Sequence, residues 1–144
     1  LSGEVKSSGK ARLAIDLATI NTEVEVRDQR MRDYLFRTEQ FPQALVQTDI
    51  DTARLTALAI GDEQILQLKA SVSMNGNQAN VFATVLVNKN SDGQLRVTTL
   101  KPIMLNARYF DMVTGIGKLR KLAGLTVISS AVPVSFSLLF NTAD

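Results

Sequence analysis

Cysteine and histidine are both missing from this sequence. Without cysteine no disulfide and no thiolate metal site can form, and without histidine the commonest general base and metal ligand is gone as well. Tryptophan is absent too, and two tyrosines with six phenylalanines make no evident platform on which nucleic-acid bases could stack. Sixteen basic against fourteen acidic side chains leave a formal charge of +2. The two signs interleave along the chain, which is not the pattern of a nucleic-acid binder. No stretch of about 18 apolar residues occurs, so no transmembrane helix is expected, and no basic-then-apolar leader is present. The chain starts at Leu1, from which we expect that an upstream segment has been removed. A cysteine-free chain suits a reducing or an oxidising compartment equally.

What is present is alternation. The 144 residues fit one domain, 1–144, long enough to bury a core without staples. From Lys10 to Leu17, Leu13, Ile15 and Leu17 share one face of an extended chain, and from Ala44 to Asp51, Val46, Thr48 and Ile50 do the same. Between them the period changes. Met31, Tyr34 and Leu35 lie three and four apart among charged residues, which predicts a short amphipathic helix over Arg27 to Phe36, ended by Phe41-Pro42.

Ala53 to Glu63 reads as a loop with a helical turn, and Gln64 to Met74 as a strand with Leu66, Leu68, Ala70, Val72 and Met74 on one side. Asn75-Gly76 is a strong hairpin signal, because both residues tolerate the positive φ of a type I′ turn. The next strand, Ala79 to Val87, is β-branched and apolar on both faces, so one face is expected to meet something besides water. Asn90-Ser91-Asp92-Gly93 makes a second turn into a strand over Gln94 to Leu100. Ile103 to Asn106 fits strand or irregular chain. Ile116 to Ala123 has helical spacing with Gly124 placed as a C-terminal cap. Val132 to Phe140 alternates cleanly and predicts one closing strand.

Six or so strands with only two short helices imply an all-β antiparallel fold, closed as a barrel or packed as a sandwich. Such a barrel of about eight strands can keep an interior wide enough for one small ligand. The inward residues are expected to include Leu13, Ile15, Leu17, Leu68 and Val72, together with Val81, Val85, Val134, Phe136 and Leu138. Alternation alone fits plain core as well as a cavity lining.

Polar motifs carry less. Glu23 with Glu25, Asp49 with Asp51, and Asp62 with Glu63 lack the loop spacing of a calcium site, so no metal is expected. Ser129-Ser130 has no activating base near it in sequence, so no catalytic residue and no cofactor is assigned. Thr114-Gly115-Ile116-Gly117-Lys118 matches neither the dinucleotide fingerprint nor the P-loop and reads as a helix entry. The charged run Arg27 to Asp33 fits either pairing on a wet helix face or an anion clamp, since arginine offers a forked donor suited to phosphate.

The stretch Ala18-Thr19-Ile20-Asn21-Thr22, then Arg27-Asp28-Gln29-Arg30-Met31-Arg32, then Phe41-Pro42-Gln43-Ala44 resembles the YceI-like family of isoprenoid-binding proteins in order and approximate spacing. Lys118-Leu119 and Val132-Pro133-Val134 also look familial, so the likeness spans nearly the whole chain. Asn21 stands where that family commonly has aspartate. The resemblance implies a lipocalin-like antiparallel barrel whose apolar cavity holds a polyisoprenoid, quinone or similar lipid-like molecule, in a periplasmic or secreted setting, with Arg27 and Arg30 as candidates for a polar head. Ser2-Gly3 resembles the point after the family's first strand pair, which implies an open or incomplete barrel. An exposed sheet edge would suit a homo-oligomer, so an assembly module is the alternative function.

Overall fold

The structure is a computed structural model and describes residues 1–141. The alternating segments form nine strands: β1 (Ser2–Val5), β2 (Lys10–Asp16), β3 (Gln43–Asp49), β4 (Glu63–Met74), β5 (Asn77–Lys89), β6 (Leu95–Thr99), β7 (Ile103–Asn106), β8 (Ala131–Val134) and β9 (Ser137–Phe140). Seven of them make one antiparallel sheet in the order β1-β2-β3-β4-β5-β6-β9, and β7 pairs with β8. The sheet curls into a nearly closed barrel with a seam between β1 and β9, the lipocalin-like fold expected. At the seam the Phe140 ring lies 3.6 Å from where a Gly3 side chain would begin.

The expected closing strand Val132 to Phe140 is in fact broken. β9 continues the large sheet while β8 leaves it, because the neighbouring strand carries extra residues. Thr98 faces Ser137 and Ile103 faces Val134, so Thr99 to Pro102 must be matched by Ser135 and Phe136 alone. Such a surplus bends a ribbon. Thr99 and Phe136 hold the bend through Thr99 N–H to Phe136 O at 3.0 Å and Phe136 N–H to Thr99 Oγ1 at 3.1 Å. Pro102, with no N–H to offer, cannot extend the ladder. Past the bend, β7 runs beside β5 without a ladder between them.

Helical segments close the ends. α1 (Glu25–Arg30) passes directly into a π-helical stretch, Met31–Phe36, and stops at Arg37 with φ +51°. α2 (Thr52–Thr56) is the helical turn expected before β4, its N-terminus capped by the Asp51 carboxylate. α3 (Val113–Leu122) begins three residues before the predicted start and ends in a Schellman turn: Gly124 has φ +66°, with Gly124 N–H to Lys121 O and Leu125 N–H to Arg120 O. α3 packs on the π-helical stretch so closely that a Cβ on Gly115 would stand 2.4 Å from the Tyr34 carbonyl oxygen. Gly115 is therefore a contact residue between helices, while nothing lies within 4 Å of a Cβ on Gly117.

The β4–β5 turn does more than reverse the chain. Asn75 adopts φ +53°, as the hairpin reading requires, and its side chain is only 3% exposed. Its amide Nδ2 donates to Phe110 O at 2.8 Å, and its Oδ1 accepts from Arg37 Nε at 3.1 Å and Nη2 at 2.7 Å. The Arg37 guanidinium also lies over the Phe41 ring, 5.1 Å from its centre. One side chain thus joins the barrel rim to the end of the π-helical stretch and to the 3₁₀ turn Ala107–Phe110.

Removing that side chain should loosen the whole cap. Asn75→Ala is expected to lower unfolding stability by roughly 2–4 kcal/mol, from unpaired buried groups plus left-handed strain. Asn75→Gly, which keeps the backbone geometry, should recover only the strain part; equilibrium urea denaturation reads both. Gly115→Ala should cost about 1–3 kcal/mol by overpacking against Tyr34. Gly117→Ala should leave stability equal or raise it by up to about 1 kcal/mol, because alanine is the better helix residue.

Candidate ligand site inside the barrel

Ladder register assigns each side chain to a face. Leu13, Val46, Val72 and Ala79 stand opposite one another across β2 to β5, and Leu66, Val85 and Thr99 do so across β4 to β6. These rows contain the buried positions Leu66, Val72 and Val85, so they define the inner face. Phe82 and Ile65, at alternate positions on the same strands, point outward and are 74% and 61% exposed. On β5 the face of Val85 and Val87 is thus the covered one, while the apolar Phe82 on the other face meets solvent.

The inner face is filled unevenly. One buried cluster, Leu66, Ala83, Val85 and Val87, packs with Leu55 and Leu58 from the α2 region and with Leu95 and Val97 of β6. A second, Val72, Ala107, Phe110 and Met112, packs with Leu35, Phe36 and Ile116 from the helical cap. Small domains commonly have one contiguous core; here two plugs sit at opposite ends. The inward residues of β1, β2 and β9 belong to neither. Leu13, Ile15, Leu138 and Phe140 remain partly exposed although they face inward. Accessible surface agrees. It totals 9312 Å², against about 7,300 Å² for a folded monomer of this mass.

Small side chains recur on the inner face, Ala11 and Ala79 partly exposed and Ala44, Ala70 and Ala83 buried. Ala11, Ala44, Ala70, Ala79 and Ala83 all fall on inward positions, and Gly3 faces Leu13 across the first ladder. Periodicity reasoning placed Ala70 on its strand's apolar face but overlooked the others, because it scores large apolar residues as the signal of an inner face. The same alternation that marks Leu13 and Val81 would have found them.

The residues expected inside divide accordingly. Leu13, Ile15 and Leu138 lie on the uncovered wall. Leu68 and Phe136 pack against the first plug, Val81 against the second, and Val72 and Val85 belong to the plugs themselves, Val85 with no exposure at all. Val134 stands on β8 opposite Ile103. Leu17 sits beyond β2 in the 3₁₀ turn Leu17–Thr19 and is buried there.

Arg27 and Arg30 lie on α1, where each guanidinium already meets a backbone carbonyl. Arg27 Nη2 donates to Thr22 O at 2.8 Å and its Nε to Thr22 Oγ1 at 2.8 Å. Arg30 Nη1 donates to Leu122 O at 3.3 Å, at the C-terminus of α3. Asp28, 3% exposed, accepts the Thr22 N–H at 2.9 Å and the Thr22 hydroxyl proton. The Arg27-Asp28 pair thus grips Thr22 from both sides and ties the preceding loop to the helix. Arg32 pairs with Glu25 at 2.7 Å.

Other polar candidates are likewise occupied. Ser129 Oγ donates to Ala131 O and accepts the Ala131 N–H, both at 3.1 Å, shaping the turn into β8. Asp62 accepts the Ala59 N–H. Asp49 lies 3.6 Å from Lys10.

Two concavities open on the outside of the wall. A slot of about 280 Å³ separates β5 from β7, lined by Val81, Phe82, Ile103, Met104, Tyr109 and Phe110 among others. A shallower groove of about 390 Å³ crosses the outer face of β2, β3 and β4, with Lys6, Lys10, Arg12 and Lys69 against Glu4 and Asp49.

Comparison with known proteins places this architecture. A polyisoprenoid binding domain from Saccharophagus degradans, implicated in plant cell wall breakdown, superposes with a TM-score of 0.94 at 34% identity, covering 98% of this chain and 81% of that one. BcnA of Burkholderia cenocepacia matches with a TM-score of 0.74 at 17% identity, over 97% of this chain and 83% of that one. The YCEI protein of Campylobacter jejuni gives 0.65 at 15%, over 99% and 85%. At those identities the last two show the fold alone. No curated protein sequence matches significantly. The profile of the YceI-like domain matches residues 1–140, and with it the chain belongs to the YceI-like domain family.

Proposed function

We propose that this protein holds an apolar amphiphile, a polyisoprenoid or quinone, as a non-catalytic carrier or store, in a periplasmic or secreted setting. The observation that carries the reading is the uncovered inner wall: Leu13, Ile15 and Leu138 face inward yet belong to neither packed cluster. Each methylene laid against such a wall is worth about 0.8 kcal/mol. Shape and exclusion of water then suffice for affinity, and no reacting group is needed. The Saccharophagus degradans relative, a polyisoprenoid binding domain, supports the ligand class. A head group near α1 would meet Arg27 and Arg30 only by exchanging their carbonyl contacts for its own oxygens. Assembly through sheet edges is the second reading, favoured by the absence of a ladder between β1 and β9 among the described residues.

Native mass spectrometry after mild purification tests the first reading. We expect a mass increment matching a prenyl lipid, or one gained on adding a polyprenyl phosphate or quinone. Ala11→Phe, which fills the free side of the interior, should weaken that binding roughly tenfold or more without loss of thermal stability. Val85→Ala should instead lower stability by about 2 kcal/mol and leave binding by the folded fraction intact. A protein that never acquires lipid mass, or an Ala11→Phe variant that binds as well as the parent, removes the reading. Light scattering addresses the second, since a strict monomer contradicts assembly.

A further inference from the structure

The outer wall carries a feature the carrier reading does not use. Phe82, Met104 and Tyr109 all line the slot between β5 and β7, and they are 74%, 61% and 66% exposed. Three large apolar side chains therefore stand together in solvent around one opening. Exposed apolar clusters of this kind on a monomer mark contact surfaces.

Next to this rim lies charge of one predominant sign. Asn80 lines both the slot and the outer groove, so the two concavities adjoin. Lys69 stands directly opposite Phe82 in the β4–β5 ladder. Lys6, Lys10 and Arg12 share its groove, and Glu4 and Asp49 offset part of their charge. Arg108, beside Tyr109, is exposed as well. We infer that this face docks on an anionic bilayer, with Phe82, Met104 and Tyr109 entering the interfacial region and the cations meeting lipid headgroups. Aromatic and basic side chains together are what such an interface attracts: the rings suit the headgroup level, and each nearby cation adds attraction that falls off within a Debye length.

The slot makes the location useful. No backbone hydrogen bond joins β7 to the Asn77 to Ala83 edge of β5 among the described residues, and the last contact on that side is Leu100 N–H to Thr84 O at 2.9 Å. Docking here would press against a place where, as at the β1–β9 seam, the wall can part without breaking a ladder. The docking itself rests on the surface patch and stands apart from the carrier reading.

Co-sedimentation with extruded vesicles tests it. Binding is expected to vesicles of phosphatidylcholine mixed with phosphatidylglycerol, to weaken strongly on phosphatidylcholine alone, and to fall as salt rises from about 0.1 to 1 M, where the Debye length shrinks from about 10 to 3 Å. Phe82→Ser with Tyr109→Ser should reduce partitioning roughly tenfold. Lys69→Glu should reduce it about fivefold or more on the anionic vesicles only. Val127→Ser, at an equally exposed apolar residue outside both concavities, should change nothing. Melting curves confirm that each variant folds. Equal binding of parent and rim variants, or indifference to lipid charge, overturns the inference. So does self-association through the patch without vesicle binding. Native mass spectrometry in detergent separates the two ideas: lipid retained by the rim double variant while its vesicle binding is lost supports both, a parent protein that binds vesicles without any bound lipid leaves docking alone standing, and a parent that holds lipid but binds no vesicles leaves only the carrier.

Discussion

The cap over the upper end of the barrel is fixed by one buried amide. Asn75 bonds at once to Arg37 and to the Phe110 carbonyl, so the hairpin tip, the helical segment and the 3₁₀ turn share a single anchoring point. A buried polar group left without partners would be destabilising by about 1–3 kcal/mol, and among the described residues every buried side-chain polar atom is satisfied. Since Phe110 is at the centre of the second plug, the position of that plug depends on this bond.

The second constraint is the bend. Because four residues, Thr99 to Pro102, oppose Ser135 and Phe136, the ribbon turns out of the main sheet and β5 loses a neighbour along half its length. That loss opens the slot beside the outward-facing Phe82. A ribbon in straight register would have continued the ladder past Thr84 and closed the wall.

Much of this was legible from alternation and turn chemistry. The strands on either side of Asn75-Gly76, the turn at Asn90 to Gly93 and the cap at Gly124 all follow from local rules, since each depends on residues within a few positions. What was not legible depends on distant partners. The final strand reads as unbroken because its own alternation is perfect; the break is imposed by the surplus in β6 and β7. Likewise Leu13 and Val85 look alike in sequence, and only the arrival of Leu95 and Val97 from β6, and of Leu55 and Leu58 from the α2 region, covers the neighbourhood of one and leaves the other free. The Arg27-Asp28 motif is similar. Its residue types suggest an anion site, whereas the fold sets Thr22 within reach and occupies both side chains.

The split core separates what holds the protein together from what the ligand would touch. The two plugs bury Val85, Val87 and Phe110 almost completely, and neither includes Leu13, Ile15 or Leu138. A large aliphatic residue in place of the partly exposed Ala11 would add buried area and stability, but it would consume the space. On the proposed carrier role, a ligand against Leu13, Ile15 and Leu138 would supply that missing contact from outside the chain, and so would stabilise the folded state by mass action, by about 2.7 kcal/mol at a hundredfold excess over Kd. On this account the wall around Ala11, Leu13 and Leu138 is where stability is held open for a ligand to complete.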